Sequence, residues 1–213
     1  MSELYHANQP VLHAGVSVQE ARSAVILLHG RGGSAADILS LADDIDLPQI
    51  AYLAPQAAGH SWYPFRFFEA TVRNEPWLSS ALHLVDQMVQ QMRLGGLSDE
   101  KIVLLGFSQG ACLALEYAAR NSRRWGGVVG LSGSLIGAEK EPRVDRGNLV
   151  GTPVFLGCSD VDFHIPLIRV EKSRDILEAL GGEVTFRIYP GMGHTINHDE
   201  IRWVRELLIK LSE

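Results

Sequence analysis

Short, continuously apolar runs alternate along the chain with longer stretches in which apolar residues recur three or four positions apart. The runs at 24–28, 50–53, 102–105, 128–131 and 154–156 are mostly apolar throughout, the pattern of strands covered on both faces. The run at 184–189 alternates more, which predicts a strand near a sheet edge. Leu78, Leu82, Val85, Val89 and Met92 form one helical stripe, and Ile201, Val204, Leu208 and Leu211 form another, each suited to lie against a sheet. Ser34 with Asp37 three residues on reads as the N-terminal cap of a helix over 35–42. Gly95-Gly96 and Gly181-Gly182 follow helical stretches, where glycine can take the left-handed conformation that closes a helix. The alternation predicts an α/β fold: a mostly parallel central sheet, its strands joined by crossover helices, with helices on both faces.

Two segments escape this scheme, the aromatic-rich 55–76 and 132–153 with its charged stretch 139–146. Both follow predicted strands, and loops after strand carboxyl ends border the ligand crevice of an open parallel sheet, so both are expected as walls or covers of a site. Trp62, Tyr63, Phe65, Phe67 and Phe68 put five aromatics within seven positions. That is more apolar surface than a loop easily buries, and Trp62 in particular is expected to line a pocket for an apolar group. No repeat or linker divides the chain, and 213 residues with 46% hydrophobic and 21% charged content suit a single domain over 1–213 with no cap domain.

Charge and cysteine usage narrow the classes. With 25 acidic against 19 basic residues, a net charge of −6 and no long basic run, the electrostatic footprint of a nucleic-acid partner is missing. The apolar runs are far too short for stable membrane insertion, and the first ten residues show no basic segment leading into an apolar core, so a cytoplasmic protein is expected. Cys112 and Cys158 sit in apolar surroundings without a CxxC pair, which argues against a disulfide framework or zinc knuckle. A homodimer is the common oligomeric form, although no exposed stripe marks an interface.

The strongest local signal is Gly106-Phe107-Ser108-Gln109-Gly110, which follows a predicted strand and opens a predicted helix. G-x-S-x-G in that context forms a turn so sharp that flanking glycines are needed, and the turn thrusts the serine hydroxyl outward as a nucleophile. A serine needs a base, and the base needs an acid to fix its tautomer. His194, after the last predicted strand, fits the Ser, Asp, His chain order. The acid should come from 157–166, where Asp160 and Asp162 both qualify. The tetrahedral oxyanion needs two amides, expected from the backbone of Gln109 and, in His29-Gly30-Arg31-Gly32-Gly33, of Arg31. The glycine-rich segment lacks the pattern of a phosphate loop, and His194 with His198 lacks a complete ligand set, so neither phosphate nor metal binding is favoured.

With HGRGG, GFSQGA, GCSDVDFHIP and PGMGH in this order, the chain resembles the phospholipase/carboxylesterase family of α/β-hydrolases, which includes acyl-protein thioesterases, from about residue 24 to its end. The resemblance implies the α/β-hydrolase fold and a triad of Ser108, His194 and Asp162, since the second aspartate of the family's G-D-x-D-P-x-V-P segment matches Asp162. It also implies oxyanion donors at Arg31 and Gln109. Ser61-Trp62-Tyr63 resembles the family's Ser-Trp-aromatic turn beside the active site, adding Tyr63 to the expected substrate contacts. Where the family often has Leu-Gly-Asp this chain has Arg31-Gly32-Gly33, placing a cation near the pocket mouth. Phe163-His164 replaces the frequent Pro-x, setting Phe163 beside the acyl site. The implied activity is that of a cofactor-independent serine carboxylesterase, acting on small short- to medium-chain esters through an acyl-enzyme. The alternatives are acyl-protein thioesterase or lysophospholipase activity on the same triad, and a non-catalytic ligand-binding homologue, which would be marked by a broken triad.

Overall fold

Seven strands, β1 (Val11–Gly15), β2 (Ser23–Leu28), β3 (Ile50–Pro55), β4 (Ile102–Phe107), β5 (Gly127–Leu131), β6 (Pro153–Ser159) and β7 (Glu183–Tyr189), form one sheet in the order β1-β3-β2-β4-β5-β6-β7. All neighbours run parallel except β1, which pairs antiparallel with β3. This computed structural model describes residues 4–143, 145 and 147–213. The first three residues, together with Val144 and Arg146 of the charged stretch, lie outside the described residues.

Strand β2 shows why the sheet is covered twice. Its Ala24, Ile26 and Leu28 pack into one core cluster while Val25 and Leu27 pack into the other, and every residue of the strand is buried. The first cluster is closed by α3 (Trp77–Leu94), α4 (Gln109–Arg120) and α5 (Leu167–Ala179). The second is closed by α1 (Ala35–Leu39), α2 (Leu41–Ile45) and α6 (His198–Ser212). A continuously apolar strand is stable only where both faces are removed from water, and these two layers do that.

All six predicted strands form, and the alternating one, β7, is the sheet edge. The hydrophobic pattern does not predict β1, whose residues stay largely accessible at the opposite edge. The helix expected over 35–42 is instead two five-residue helices. Ser34 caps the first reciprocally with Asp37, but Ser40 Oγ donates to the Asp37 carbonyl at 2.7 Å, competing for the backbone acceptors at the break. Gly96 and Gly181 take φ of 98° and 84° just past α3 and α5, the left-handed closure expected of them.

Candidate active site

Ser108 stands between β4 and α4 with φ 55° and ψ −118°, a conformation costly for any residue with a side chain. Its neighbours allow the turn. A Cβ on Gly106 would meet the Gly110 backbone at 2.2 Å, and one on Gly110 would meet the Leu28 carbonyl oxygen at 2.0 Å. Only glycine fits either place, and the Ser108 N–H anchors the turn on the Leu131 carbonyl at 2.9 Å.

Three side chains from separate loops meet here. His194 Nε2 lies 2.8 Å from Ser108 Oγ, and its Nδ1 lies 2.7 Å from Asp162 Oδ2. Asp162 is an acceptor throughout: its Oδ1 takes the N–H groups of His164 and Ile165 at 2.8 and 3.1 Å. Nδ1–H therefore donates to Asp162, leaving the Nε2 lone pair toward the hydroxyl. Asp160, the other sequence candidate, instead accepts the Gly191 N–H at 2.8 Å, and Ser159 Oγ accepts that of Gly193 at 3.1 Å. Both thus hold the loop that carries His194. The imidazole ring is flanked by Phe107 and His164, with centroids 4.9 and 4.8 Å away.

The backbone N–H groups of Arg31 and Gln109 have no partner among the described residues, while the chain around Arg31 is pinned. Gly32 N–H donates to the His60 carbonyl at 2.7 Å and Gly33 N–H to the Gly30 carbonyl at 3.1 Å. Buried His29 donates from Nδ1 to the Gly30 carbonyl and accepts the Ala57 N–H at Nε2, a neutral ring whose pKa burial pushes down. Such fixed, unpaired amides can receive a developing oxyanion without reorganising.

Ser108 opens onto a cavity of about 280 Å³. Tyr63, Phe67, Cys112 and Ile165 make its apolar lining, with Arg31, Arg66, Gln109 and His164 as its polar lining beside Ser108. Burial pushes the Cys112 thiol up to about 12, so it serves as a small apolar group. Tyr63 lines the cavity. Trp62 does not line the cavity: it is wholly buried beneath, its indole N–H donating to the His29 carbonyl at 2.8 Å. Phe163 is 93% exposed and does not line it either, because Asp162 gathers the following N–H groups and turns the chain so that this ring faces solvent. Of the segment 132–153, residues 135–139, 141–143 and 145 line a separate cavity of about 950 Å³, where Glu116 accepts the Ile136 N–H and pairs with Arg143.

Sequence reasoning missed the side chain of Gln109. Its Nε2 donates to the Tyr63 carbonyl at 2.7 Å and its Oε1 accepts the Trp62 N–H at 2.9 Å. The polar side chain inside an otherwise small, apolar helix start was the available signal. Among the described residues no three His, Cys, Asp or Glu side chains are grouped as metal ligands, and no helix is long and apolar enough to cross a membrane.

A family model described as phospholipase/carboxylesterase matches residues 14–212. The chain belongs to that family. Its sheet is accordingly the α/β-hydrolase fold, and its family chemistry is ester-bond hydrolysis. It is similar to acyl-protein thioesterase 1 of Saccharomyces cerevisiae, 29% identical over 89% of this chain and 93% of that protein. Among solved structures it superposes on a phospholipase/carboxylesterase from Dyadobacter fermentans with a TM-score of 0.91, at 43% identity over 96% of this chain and 98% of that one. Acyl-protein thioesterase 2 of Zea mays shares the fold, with a TM-score of 0.73 at 18% identity over 96% of this chain and all of that one.

Proposed function

We propose that this family member is a cofactor-independent serine carboxylesterase for short- to medium-chain esters. The observation that carries the reading is the Ser108–His194–Asp162 hydrogen-bonded relay, at 2.8 and 2.7 Å, opening onto a small apolar cavity. Ser108 Oγ attacks the ester carbonyl as His194 Nε2 takes its proton, and Asp162 steadies the imidazolium. The carbonyl oxygen, now negative, is received by the amides of Arg31 and Gln109. Collapse expels the alcohol, protonated by His194, and leaves an acyl group on Ser108. Water, deprotonated by the same imidazole, repeats the sequence and releases the acid. The cavity, about 280 Å³, is at the small end for organic ligands, which favours short acyl groups.

The test is hydrolysis of p-nitrophenyl esters from acetate to palmitate by the wild type and Ser108→Ala, without added metal. Turnover falling with chain length and lost in the variant is expected; equal rates in the variant would overturn the reading. Thioester hydrolysis is the second reading, favoured by the similarity to the yeast acyl-protein thioesterase along 89% of the chain. The same relay serves either leaving group, so a matched pair of butyryl ester and butyryl thioester, compared by kcat/KM, separates the two.

A further inference from the structure

The two arginines on the lining of the Ser108 cavity have no ion-paired carboxylate among the described residues. Arg31 donates from Nη1 to the Pro64 carbonyl and from Nη2 to the Tyr63 and Phe65 carbonyls, at 2.9, 2.9 and 2.6 Å. Those carbonyls satisfy three N–H donors and fix the guanidinium, yet they cancel none of its charge and leave two donors free. Arg66 is exposed, its guanidinium 5.5 Å from the Phe68 ring centroid. Neither makes an ion pair with a carboxylate among the described residues, and no acidic residue lines the cavity.

Their shared place on the cavity that holds Ser108 gives this meaning. The protein carries 25 acidic and 19 basic residues, and several arginines elsewhere pair with carboxylates, Arg93 with Asp99, Arg143 with Glu116 and Asp145, Arg187 with Asp199, while Arg22, Arg124, Arg169 and Arg205 donate to backbone carbonyls away from this cavity. A net negative protein that leaves two guanidinium groups unpaired beside its reactive hydroxyl presents a local anion site. Guanidinium also binds a carboxylate in plane, with directed hydrogen bonds. We propose that the preferred substrate is an ester bearing a carboxylate, received by Arg66 and Arg31 at the mouth of the Ser108 cavity. This rests on the ester-hydrolase reading above and names the class of substrate within it.

Matched pairs of esters test it. On the acyl side, 4-nitrophenyl hydrogen glutarate is compared with its methyl ester; on the alcohol side, the butyrate ester of 4-hydroxybenzoate is compared with that of methyl 4-hydroxybenzoate. In one pair the acid is expected to exceed its neutral partner in kcat/KM by about tenfold, the scale of one or two charge-assisted contacts at an accessible site. That ratio should collapse in Arg66→Gln, invert in Arg66→Glu, and fade at about 1 M salt, where the Debye length is roughly 3 Å. Neutral esters turned over with no acid preference in either pair overturn the proposal, as does a preference indifferent to both Arg66 variants. No turnover of any of the four esters by folded wild type overturns instead the ester-hydrolase reading beneath it.

Discussion

Replacing Glu200 by Gln should change how stability depends on pH, because this carboxyl is buried without full compensation. Glu200 is wholly buried at the start of α6, directly after the loop that carries His194. Its Oε2 accepts the Asn197 N–H at 2.9 Å, but Oε1 has no partner among the described residues and faces Gly157, where a Cβ would come within 2.0 Å of it. Burial pushes the carboxyl from its ordinary 4.5 up to about 7, against the smaller opposing pull of the Asn197 N–H. In that window the folded chain keeps a proton that the unfolded chain has released, so stability falls as pH rises. Below the window both states are protonated; above it both are ionised and the full penalty is present. The gap corresponds to about 3 kcal/mol at 1.36 kcal/mol per pH unit. Glutamine keeps an acceptor for Asn197 and has nothing to ionise. Urea unfolding of both proteins from about pH 4 to about pH 8 should therefore show the variant gaining about 3 kcal/mol on the wild type across the range. Parallel stability curves would refute the reasoning.

Asp162→Asn should lower kcat by roughly 10⁴ while leaving Tm close to wild type, because the amide can still accept from His164 and Ile165 but favours the wrong imidazole tautomer. Asp160→Asn, which keeps an acceptor for the Gly191 N–H, should stay within about tenfold of wild-type turnover in the same assay. Gly110→Ala should cost roughly 1–3 kcal/mol in urea unfolding and reduce turnover, since its Cβ meets the Leu28 carbonyl oxygen at 2.0 Å. A disulfide-exchange thiol reagent at neutral pH should find neither cysteine in the native protein and both after denaturation, as burial pushes Cys112 and Cys158 up to about 12.

The parts of this molecule legible in the sequence are those where one local pattern has one structural solution. Strand β2 cannot be continuously apolar unless both faces are covered, and Gly106 and Gly110 leave no room for a side chain, so sheet and turn follow from short segments. The edge strand β1 shows no such pattern because little of it is buried. Asp160 and Asp162 differ only in which N–H and imidazole groups the folded loop brings to each, and the residues by themselves do not separate them. Trp62 and Tyr63 are neighbours of similar character, yet one indole lies under the site and one ring lines it, a distinction set by the His29 carbonyl across the fold. The spacing of Asn197 and Glu200 is that of a capping box, and it does not reveal that the fold buries the carboxyl against Gly157.

The turn at 61–65 joins these observations. Gln109 and Arg31, whose amides face the reacting carbonyl in the proposed mechanism, both send their side chains to this turn and both donate to the Tyr63 carbonyl, at 2.7 and 2.9 Å. The two amides lie just past the ends of β2 and β4, strands the sheet itself pairs at Leu28 and Gly106, and beyond that pairing their spacing needs a further coupling. One carbonyl shared by both side chains is such a coupling. The aromatic cluster supplies its stiffness: Trp62 is buried and tied to His29, so the turn cannot drift without breaking a hydrogen bond in the core. An oxyanion site works by being fixed before the charge arrives. In the proposed mechanism, a segment that reads in the sequence as a pocket wall also holds the two amides at one separation.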